Sequence, residues 1–397
     1  MTKVIPQGFQ MMGVHCGLKR KPEKQDLSLV YSLTNAVAAG VYTKNLVFAA
    51  PVALDRKRTP SEKIRAVVNN SANANACTGD RGLNDAMSMA RTAAEALGIG
   101  EEQVLVLSTG VIGEFLPMDK IVSGITHAAG LLGAEEDHLV ATARGMMTTD
   151  TVHKTVTRVL QTSQGEVQLT GMAKGAAMIG PNMATMLGVI LTDARLQMAD
   201  AQALLREAAD DSFNCLSIEG HTSTNDSVLL LASGAACPKP LKDDDLAVFR
   251  QGLQEVCVAL ARAIANDGEG ATHLITLQVE GCASRDSALQ IAKTVANSPL
   301  VKTAIAGADP NWGRIVSAAG YAGVPFDPQG VTLHVQGMLL YQKGRPAEFE
   351  EQTVSTAIRD SRETSIVLRF TEGQHNVRFW TTDLTAEYVH LNADYHT

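Results

Sequence analysis

The sequence lacks most of the short motifs that assign an enzyme to a class. It contains no G-x-S-x-G elbow, no H-E-x-x-H zinc motif, no Walker A loop and no G-x-G-x-x-G fingerprint. Its six cysteines are scattered without a C-x-x-C pair, which is typical of free thiols in a reducing compartment. These absences argue against a standard serine hydrolase and a nucleotide-binding loop, and they predict neither disulfide bonds nor a metal site.

Positive charge and long apolar runs are also scarce. Lysine and arginine number 34 against 42 aspartates and glutamates, so the net charge of -8 provides no overall basic field for nucleic acid. Apolar runs such as 228–232 fall far short of the roughly 20 residues that span a bilayer, and the first residues lack the apolar core of a signal peptide. We therefore expect a cytoplasmic protein with neither a nucleic-acid nor a membrane partner.

The residues that are present predict a mixed α/β protein that is folded over its whole length. Apolar residues at spacings of three and four from 246 to 264 predict a helix that starts just after the acidic triplet 243–245 and ends near 267–268. Short apolar runs bounded by turn residues predict strands. The predicted strands cover 103–107, 186–191, 331–340, 364–370 and 376–381, and a last short helix is predicted at 383–388.

Three loops rich in Gly, Ala, Asn, Ser and Thr interrupt this pattern. They read NNSANANACTGDRG at 69–82, EGHTSTND at 219–226 and NDGEGATH at 266–273. Small residues let the backbone approach a ligand, and the polar residues offer neutral hydrogen-bonding groups, so several such loops predict a polar pocket, although each alone is typical of a turn. His221 and His273 lie in these loops and are the better histidine candidates, but a loop histidine is more often simply exposed.

The strongest local signal is the segment 171–193. It runs from Lys174, which is predicted to lie in a Gly/Ala loop, to Thr185, which immediately precedes an apolar strand. β-Branching and the strand restrict the rotamers of this threonine, so its hydroxyl has a defined direction. A threonine nucleophile needs a base, and cleavage of the bond after Ala184 would free an α-amine with a pKa of roughly 7.7 to 8.0 that can take the hydroxyl proton. The ordinary alternative is a β-branched residue that opens a strand for structural reasons alone.

Both self-cleavage and catalysis through a threonine ester need hydrogen-bond donors for an oxyanion. Thr109 and Gly110 come just after the predicted strand 103–107, where a hydroxyl and a backbone N–H could point together into a cleft. The same two residues would also fit an ordinary turn between a strand and a loop.

Seven separated blocks together resemble one enzyme family, from about residue 8 to the last residue. The blocks are NSANANACTGDRGLNDA, STGVIGEFLPMDKI, KGAAMIGPNMATMLGVILTDA, GHTSTND, DGEGATHL, NSPLVKTAIAGADPNWGRI and YVHLNADYHT. They are similar to the bifunctional ornithine acetyltransferase (glutamate N-acetyltransferase) family of arginine biosynthesis.

The resemblance implies a precursor that cuts itself between Ala184 and Thr185 into chains of residues 1–184 and 185–397. Thr185 is then the N-terminal nucleophile, and Thr109 with Gly110 forms the oxyanion hole. The implied substrate contacts are Thr148, Lys174, Thr185 itself, Glu269, Asn392 and Thr397. Thr148 lies in the MMTTDT run, where the alignment with the family is open by one residue, so Thr149 is the alternative.

The implied reaction is a two-step exchange without a cofactor or metal. The acetyl group moves from N2-acetylornithine to Thr185 and then to glutamate, and the resemblance leaves open whether acetyl-CoA is a further donor. The implied fold is a four-layer α-β-β-α sandwich of the self-processing N-terminal-nucleophile type, with a smaller C-terminal α/β region. The two chains are expected to stay associated and to form a heterotetramer of two alpha and two beta chains.

Some residues depart from the family pattern. His153 stands where proline is common, Ala176 and Ala177 replace a Ser/Gly pair, and Glu219 and His221 stand where aspartates are frequent. These departures leave the acceptor and the second activity open. Two other functions fit the same residues. One is a self-processed amidohydrolase or aminopeptidase that passes the acyl group to water, and the other is an uncleaved amino-acid-binding or regulatory protein that has the pocket without the chemistry.

Overall fold

The computed structural model describes residues 4–180 and 186–393. The predicted cleavage residues Ala184 and Thr185 and the predicted substrate contact Thr397 lie outside these described residues.

The larger part of the fold is built on an eight-stranded sheet. Its strands are β1 (Phe9–Val14), β2 (Leu27–Tyr42), β3 (Ser61–Asn73), β4 (Val104–Val111), β5 (Lys154–Thr162), β6 (Gly165–Lys174), β7 (Leu187–Thr192) and β8 (Ser227–Ala232). Its helices are α1 (Ala50–Arg58), α2 (Gly79–Leu97), α3 (Met118–Ala129), α4 (Glu136–Met146), α5 (Met198–Asp210) and α6 (Asp243–Asn266). The strand order is β4-β3-β2-β8-β7-β6-β5, and β1 pairs with the first half of β2.

This sheet folds back on itself at the long strand β2. Strands β4 and β6 are five places apart in the strand order, so in a flat sheet they would be about 24 Å apart. Yet Lys174 Nζ, at the end of β6, lies 3.1 Å from Thr109 Oγ1 on β4. Alternate residues of the two halves, such as Val67, Leu105 and Val189, accordingly meet in one buried cluster between them.

The outward faces of the two halves are covered by helices. Leu29 and Val106 pack against α2 and α3 on one side, and Ile190 and Leu230 pack against α5 and α6 on the other. The layers therefore follow one another as α, β, β and α, and the four-layer sandwich expected from the sequence is confirmed.

A smaller C-terminal α/β region completes the fold. Its six strands lie in the order β12-β11-β10-β13-β9-β14, with β13 parallel to β9 and the other neighbours antiparallel. The strands are β9 (Leu274–Cys282), β10 (Thr332–Val335), β11 (Met338–Gln342), β12 (Arg345–Pro346), β13 (Glu363–Arg369) and β14 (His375–Thr382). The helices are α7 (Arg285–Ala296), α8 (Pro299–Ala306), α9 (Trp312–Gly320), α10 (Glu351–Arg359) and α11 (Ala386–Ala393).

Several predicted elements agree with the structure, and four need correction. Helix α6 ends as predicted but begins at Asp243, so the acidic triplet forms its first turn rather than preceding it. The single strand predicted at 331–340 is a hairpin, because Gln336 and Gly337 both take positive φ angles (50° and 78°) and turn the chain. Strand β4 extends past the predicted end to Val111. The last helix starts at Ala386 rather than near 383. Within the described ranges, no helix combines the length and the apolar composition needed to cross a membrane.

Candidate active site

One cavity of about 280 Å³ is lined by all the predicted site residues that the structure describes. They are Thr109, Gly110, Thr148, Lys174, Glu269 and Asn392. Thr149 lines the same cavity, so the one-residue ambiguity of the sequence remains. These residues are spread over nearly 300 positions of the chain, yet they line one cavity. An arbitrary set of loop residues would not be expected to do so.

Thr109 and Gly110 lie within strand β4 near its end, rather than in the loop expected after it. Gly110 has a φ of 134°, and a Cβ at this position would lie 2.1 Å from the backbone carbon of Ala72 on β3. Only glycine can bring the backbone this close to its neighbour. The residue type at 110 is therefore required by the local structure as well as suited to the predicted oxyanion hole.

Asn225 holds the end of β4 in place from the loop before β8. Its side-chain amide donates to the carbonyl oxygens of Ala74 (2.6 Å) and Ser108 (2.8 Å), and its own Oδ1 accepts from Thr224 (2.6 Å). The contacts with Ala74 and Ser108 each span more than a hundred positions in sequence. The sequence places Asn225 in a polar loop but does not predict this role, because a contact between two distant segments has no local signal.

Lys174 is the last residue of β6 and is almost fully buried, with 2% of its surface exposed. The sequence predicts a Gly/Ala loop at this position, whereas in the structure Lys174 belongs to the strand. Burial lowers the pKa of its ammonium, while the charges of Asp150, Asp226 and Glu269 act in the opposite direction. Its Nζ donates to Thr109 Oγ1 at 3.1 Å, so a buried cation adjoins the predicted oxyanion hole.

Asp150 anchors the loop that carries Thr148. Its carboxylate accepts from Lys154 Nζ (2.6 Å) and from the backbone N–H groups of Gly175 (2.7 Å) and Thr148 (3.0 Å). Burial would raise the pKa of this carboxyl, but Lys154, Lys174 and the Gly175 N–H outweigh burial and hold the pKa below its usual range. Asp150 is thus an anion that fixes two walls of the cavity, a role that no pattern in the sequence indicates.

Helix α11 closes the cavity against the loop that carries Glu269. Asn392 Nδ2 donates to Glu269 Oε2 at 3.1 Å, and Thr385 Oγ1 donates to the Gly270 carbonyl at 2.6 Å. A Cβ on Gly270 would lie 2.5 Å from the backbone nitrogen of Tyr388, so this glycine allows the helix to approach the loop. Glu269 and Asn392 are therefore in direct contact, as two ligands of one substrate group would be.

Strand β7 begins at the cavity. Its first residue, Leu187, pairs with Lys174 on one side and with Ser227 on the other. The N–H of Met186 donates to Asp226 Oδ1 at 3.0 Å. Burial raises the pKa of the Asp226 carboxyl well above its usual range. Met186, which follows Thr185 in the chain, is therefore held beside the end of β6 and the start of β8, close to the cavity.

The two histidine candidates differ. His221 lines the cavity. His273 is buried away from it, with Nδ1 3.0 Å from Asp383 Oδ2 and Nε2 3.2 Å from the Ile358 carbonyl. Because both ring nitrogens of His273 are engaged, its role is structural. In the part of the chain that the structure describes, no group of three or more His, Cys, Asp or Glu side chains is placed to hold a metal ion.

Comparison with known proteins assigns the family. The family model named ArgJ family matches residues 10–397. The chain belongs to the ArgJ family. The arginine biosynthesis bifunctional protein ArgJ of Rhodopirellula baltica is 43% identical over 399 residues, which cover 100% of this chain and 97% of that protein.

Two solved structures are similar to parts of the chain. A crystal structure of the arginine biosynthesis bifunctional protein of Bacillus halodurans is 36% identical, with a TM-score of 0.50, and the match covers 51% of this chain and 96% of that chain. An ornithine acetyltransferase of Mycobacterium tuberculosis, solved in complex with ornithine, is 37% identical, with a TM-score of 0.42, over 45% of this chain and 94% of that chain.

Proposed function

We propose that this chain is an acetyltransferase of arginine biosynthesis that moves the acetyl group of N2-acetylornithine to glutamate through an ester on Thr185. The observation that carries the proposal is the meeting of Thr109, Gly110, Lys174 and Glu269 in one cavity at the start of β7. Family membership and relatives named as arginine biosynthesis bifunctional proteins support it.

In this proposal the chain cuts itself between Ala184 and Thr185. The coverage of the B. halodurans chain supports a division near the middle of the chain, since 96% of that chain corresponds to only 51% of this one. The two products would be hard to separate, because β6 from the first pairs with β7 from the second and β2 pairs with β8 in the same way. We extend the proposal to a heterotetramer of two such pairs on the basis of the sequence resemblance.

The chemical step uses the freed amine of Thr185 as base. The amine takes the hydroxyl proton, Oγ attacks the acetyl carbonyl, and the same proton passes to the leaving nitrogen as the C–N bond breaks. The oxyanion is held by Thr109 and the Gly110 N–H. An ammonium can only donate, so Thr109 accepts from Lys174 and keeps its own O–H free to donate to the oxyanion.

Substrate binding follows from the charges around the cavity. The Lys174 ammonium suits the α-carboxylate that ornithine and glutamate share, and Glu269 suits the cationic side chain of ornithine. Thr148, Asn392 and Thr397 complete the predicted contacts. Glutamate then enters with a neutral α-amine and takes the acetyl group from Thr185, without an energy carrier, because one amide replaces another.

A labelled-acceptor assay tests the proposal. Purified protein is incubated with N2-acetylornithine, with and without labelled glutamate, and both products are quantified. We expect acetylglutamate and ornithine in equal amounts, because a positioned amine competes with water through its high effective concentration. Ornithine release that does not depend on glutamate would instead identify an amidohydrolase. Replacing N2-acetylornithine with acetyl-CoA in the same assay tests the second donor.

A further inference from the structure

The cavity contains a second carboxyl group that the proposed reaction does not use. Glu219 lines the cavity together with Glu269, and its Oε1 accepts a hydrogen bond from the Ile179 N–H. Its Oε2 is buried and has no hydrogen-bond partner among the described residues. A buried carboxyl oxygen without a partner is costly, so such a group in a binding cavity calls for a ligand or a proton.

The charged and titratable groups around Glu219 come from several elements. The charge of Lys302 on α8 lowers the pKa of Glu219, and the charge of Glu269, which follows α6, raises it. The backbone of the neighbouring His221 has a smaller, lowering effect. Lys302 is itself buried and donates to the Thr381 and Thr382 hydroxyls at 3.1 and 3.2 Å.

Burial is the largest of these influences on Glu219. Burial and the charge of Glu269 raise its pKa to about 8, although the Ile179 N–H and Lys302 act in the opposite direction. Tyr388 on α11 also faces both carboxyls, and burial together with their charges raises its pKa to about 12. The tyrosine therefore stays neutral. Burial lowers the pKa of Lys302 to about 8, so Lys302 and Glu219 can both change charge near neutral pH, and of the two it is Glu219 that lines the cavity.

The proposed exchange requires one cavity to accept two side chains of opposite charge. Ornithine carries an ammonium at the end of its side chain, and glutamate carries a carboxylate. A fixed pair of anions at Glu219 and Glu269 would favour the first and repel the second. A carboxyl that is ionised with one ligand and protonated with the other would suit both, since a protonated carboxyl donates a hydrogen bond.

We propose that Glu219 is a specificity-determining residue that releases its proton to solvent when the ornithine ammonium binds and keeps the proton, donating it in a hydrogen bond, when the glutamate carboxylate binds. This inference rests on the proposed function. It assigns to Glu219 a role that differs from that of Glu269, which binds the ornithine side chain as an anion.

The test compares two acetyl donors that react with the same free enzyme. In a two-step exchange, kcat/KM for the donor does not depend on the acceptor, so N2-acetylornithine and N2-acetylglutamate can be compared directly. Because both donors react with the same nucleophile, the ionisation of the Thr185 amine changes both kcat/KM values by the same factor and does not affect their ratio. The ratio is measured from about pH 6.5 to about pH 9 for the wild type, E219Q and the control E95Q. Glu95 is exposed on α2, outside the cavity.

In the wild type and E95Q, the ratio of kcat/KM for N2-acetylornithine to that for N2-acetylglutamate is expected to rise about tenfold from the lowest to the highest pH. Ionisation of one partner makes a hydrogen bond more favourable by an amount that corresponds to about tenfold in affinity. E219Q keeps an acceptor for the Ile179 N–H but cannot ionise, so its ratio should stay flat at the low-pH value of the wild type. E219D, which can still ionise, should restore a slope.

Two results would overturn the inference. A ratio in E219Q that rises with pH as in the wild type would assign the titration to another group. If the ratio of kcat/KM values in the wild type does not change with pH, no titrating group controls the choice of donor. This result does not depend on whether E219Q folds. Failure of the wild type to use either donor is a different result, since it would contradict the proposed function and the inference with it.

Discussion

Removal of the Thr109 hydroxyl is the perturbation whose effect can be worked out most fully from the structure. Valine has nearly the same shape but no O–H, and Thr109 is buried with 3% of its surface exposed, so Thr109→Val changes little besides hydrogen bonding. Loss of one oxyanion donor typically costs about 2.7 to 4 kcal/mol, or 10²- to 10³-fold in kcat. Lys174 also loses the acceptor that lies 3.1 Å from its Nζ.

The assay for this variant has two readouts. Self-cleavage is followed by the time course of fragment appearance in freshly synthesised protein, and the first half-reaction by ornithine release from N2-acetylornithine. We expect both rates to fall 10²- to 10³-fold, because both steps form an oxyanion at the same donors. Thr109→Ser, which keeps the hydroxyl, should recover most of both rates. Thr294→Val, at a half-buried site on α7 that does not line the cavity, serves as the matched control.

The reasoning would be refuted by a Thr109→Val protein that cleaves itself and turns over within about threefold of the wild type, since an effect below about 1 kcal/mol is too small for an oxyanion donor.

Three further predictions concern the walls of the cavity. Gly110→Ala places a Cβ 2.1 Å from a backbone atom of Ala72 at a positive φ, so the free energy of unfolding by denaturant should fall by at least about 2 kcal/mol, whereas Gly320→Ala, with open space around it, should leave it nearly unchanged. Glu269→Gln should raise KM for N2-acetylornithine about tenfold in initial-rate measurements and raise KM for glutamate much less; equal effects on both would contradict the assigned contact. Lys154→Met leaves two buried carboxylates without their cation and should lower the free energy of unfolding by about 3–5 kcal/mol; a loss below about 1 kcal/mol would show that this buried ion pair is unimportant.

The elements that could be predicted from the sequence are those with a strong local pattern. Helix α6 has apolar residues at helical spacing, so its body and its end could be located, although the acidic triplet before them proves to be its first turn. The hairpin of β10 and β11 could not, because it depends on positive φ angles at Gln336 and Gly337 inside an otherwise apolar run. Lys174 was assigned to a loop for a similar reason: the small residues that follow it conceal the end of a buried strand.

The candidate site could be predicted only as far as the family resemblance extends. The resemblance names residues that touch a ligand, and those described by the structure line one cavity. It does not name the residues that hold them. Asp150, Asn225 and Asp226 act through hydrogen bonds to segments far away in the chain, and such contacts depend on the tertiary fold rather than on local sequence.

The central claim is that the chain becomes active when the bond before Thr185 is broken. Intact-mass measurement and chemical sequencing of purified, active protein test it most directly. The account predicts two fragments whose masses add up to that of the 42.1 kDa chain plus one water, the larger beginning with a free Thr185. A single uncleaved species that still transfers acetyl groups would contradict it.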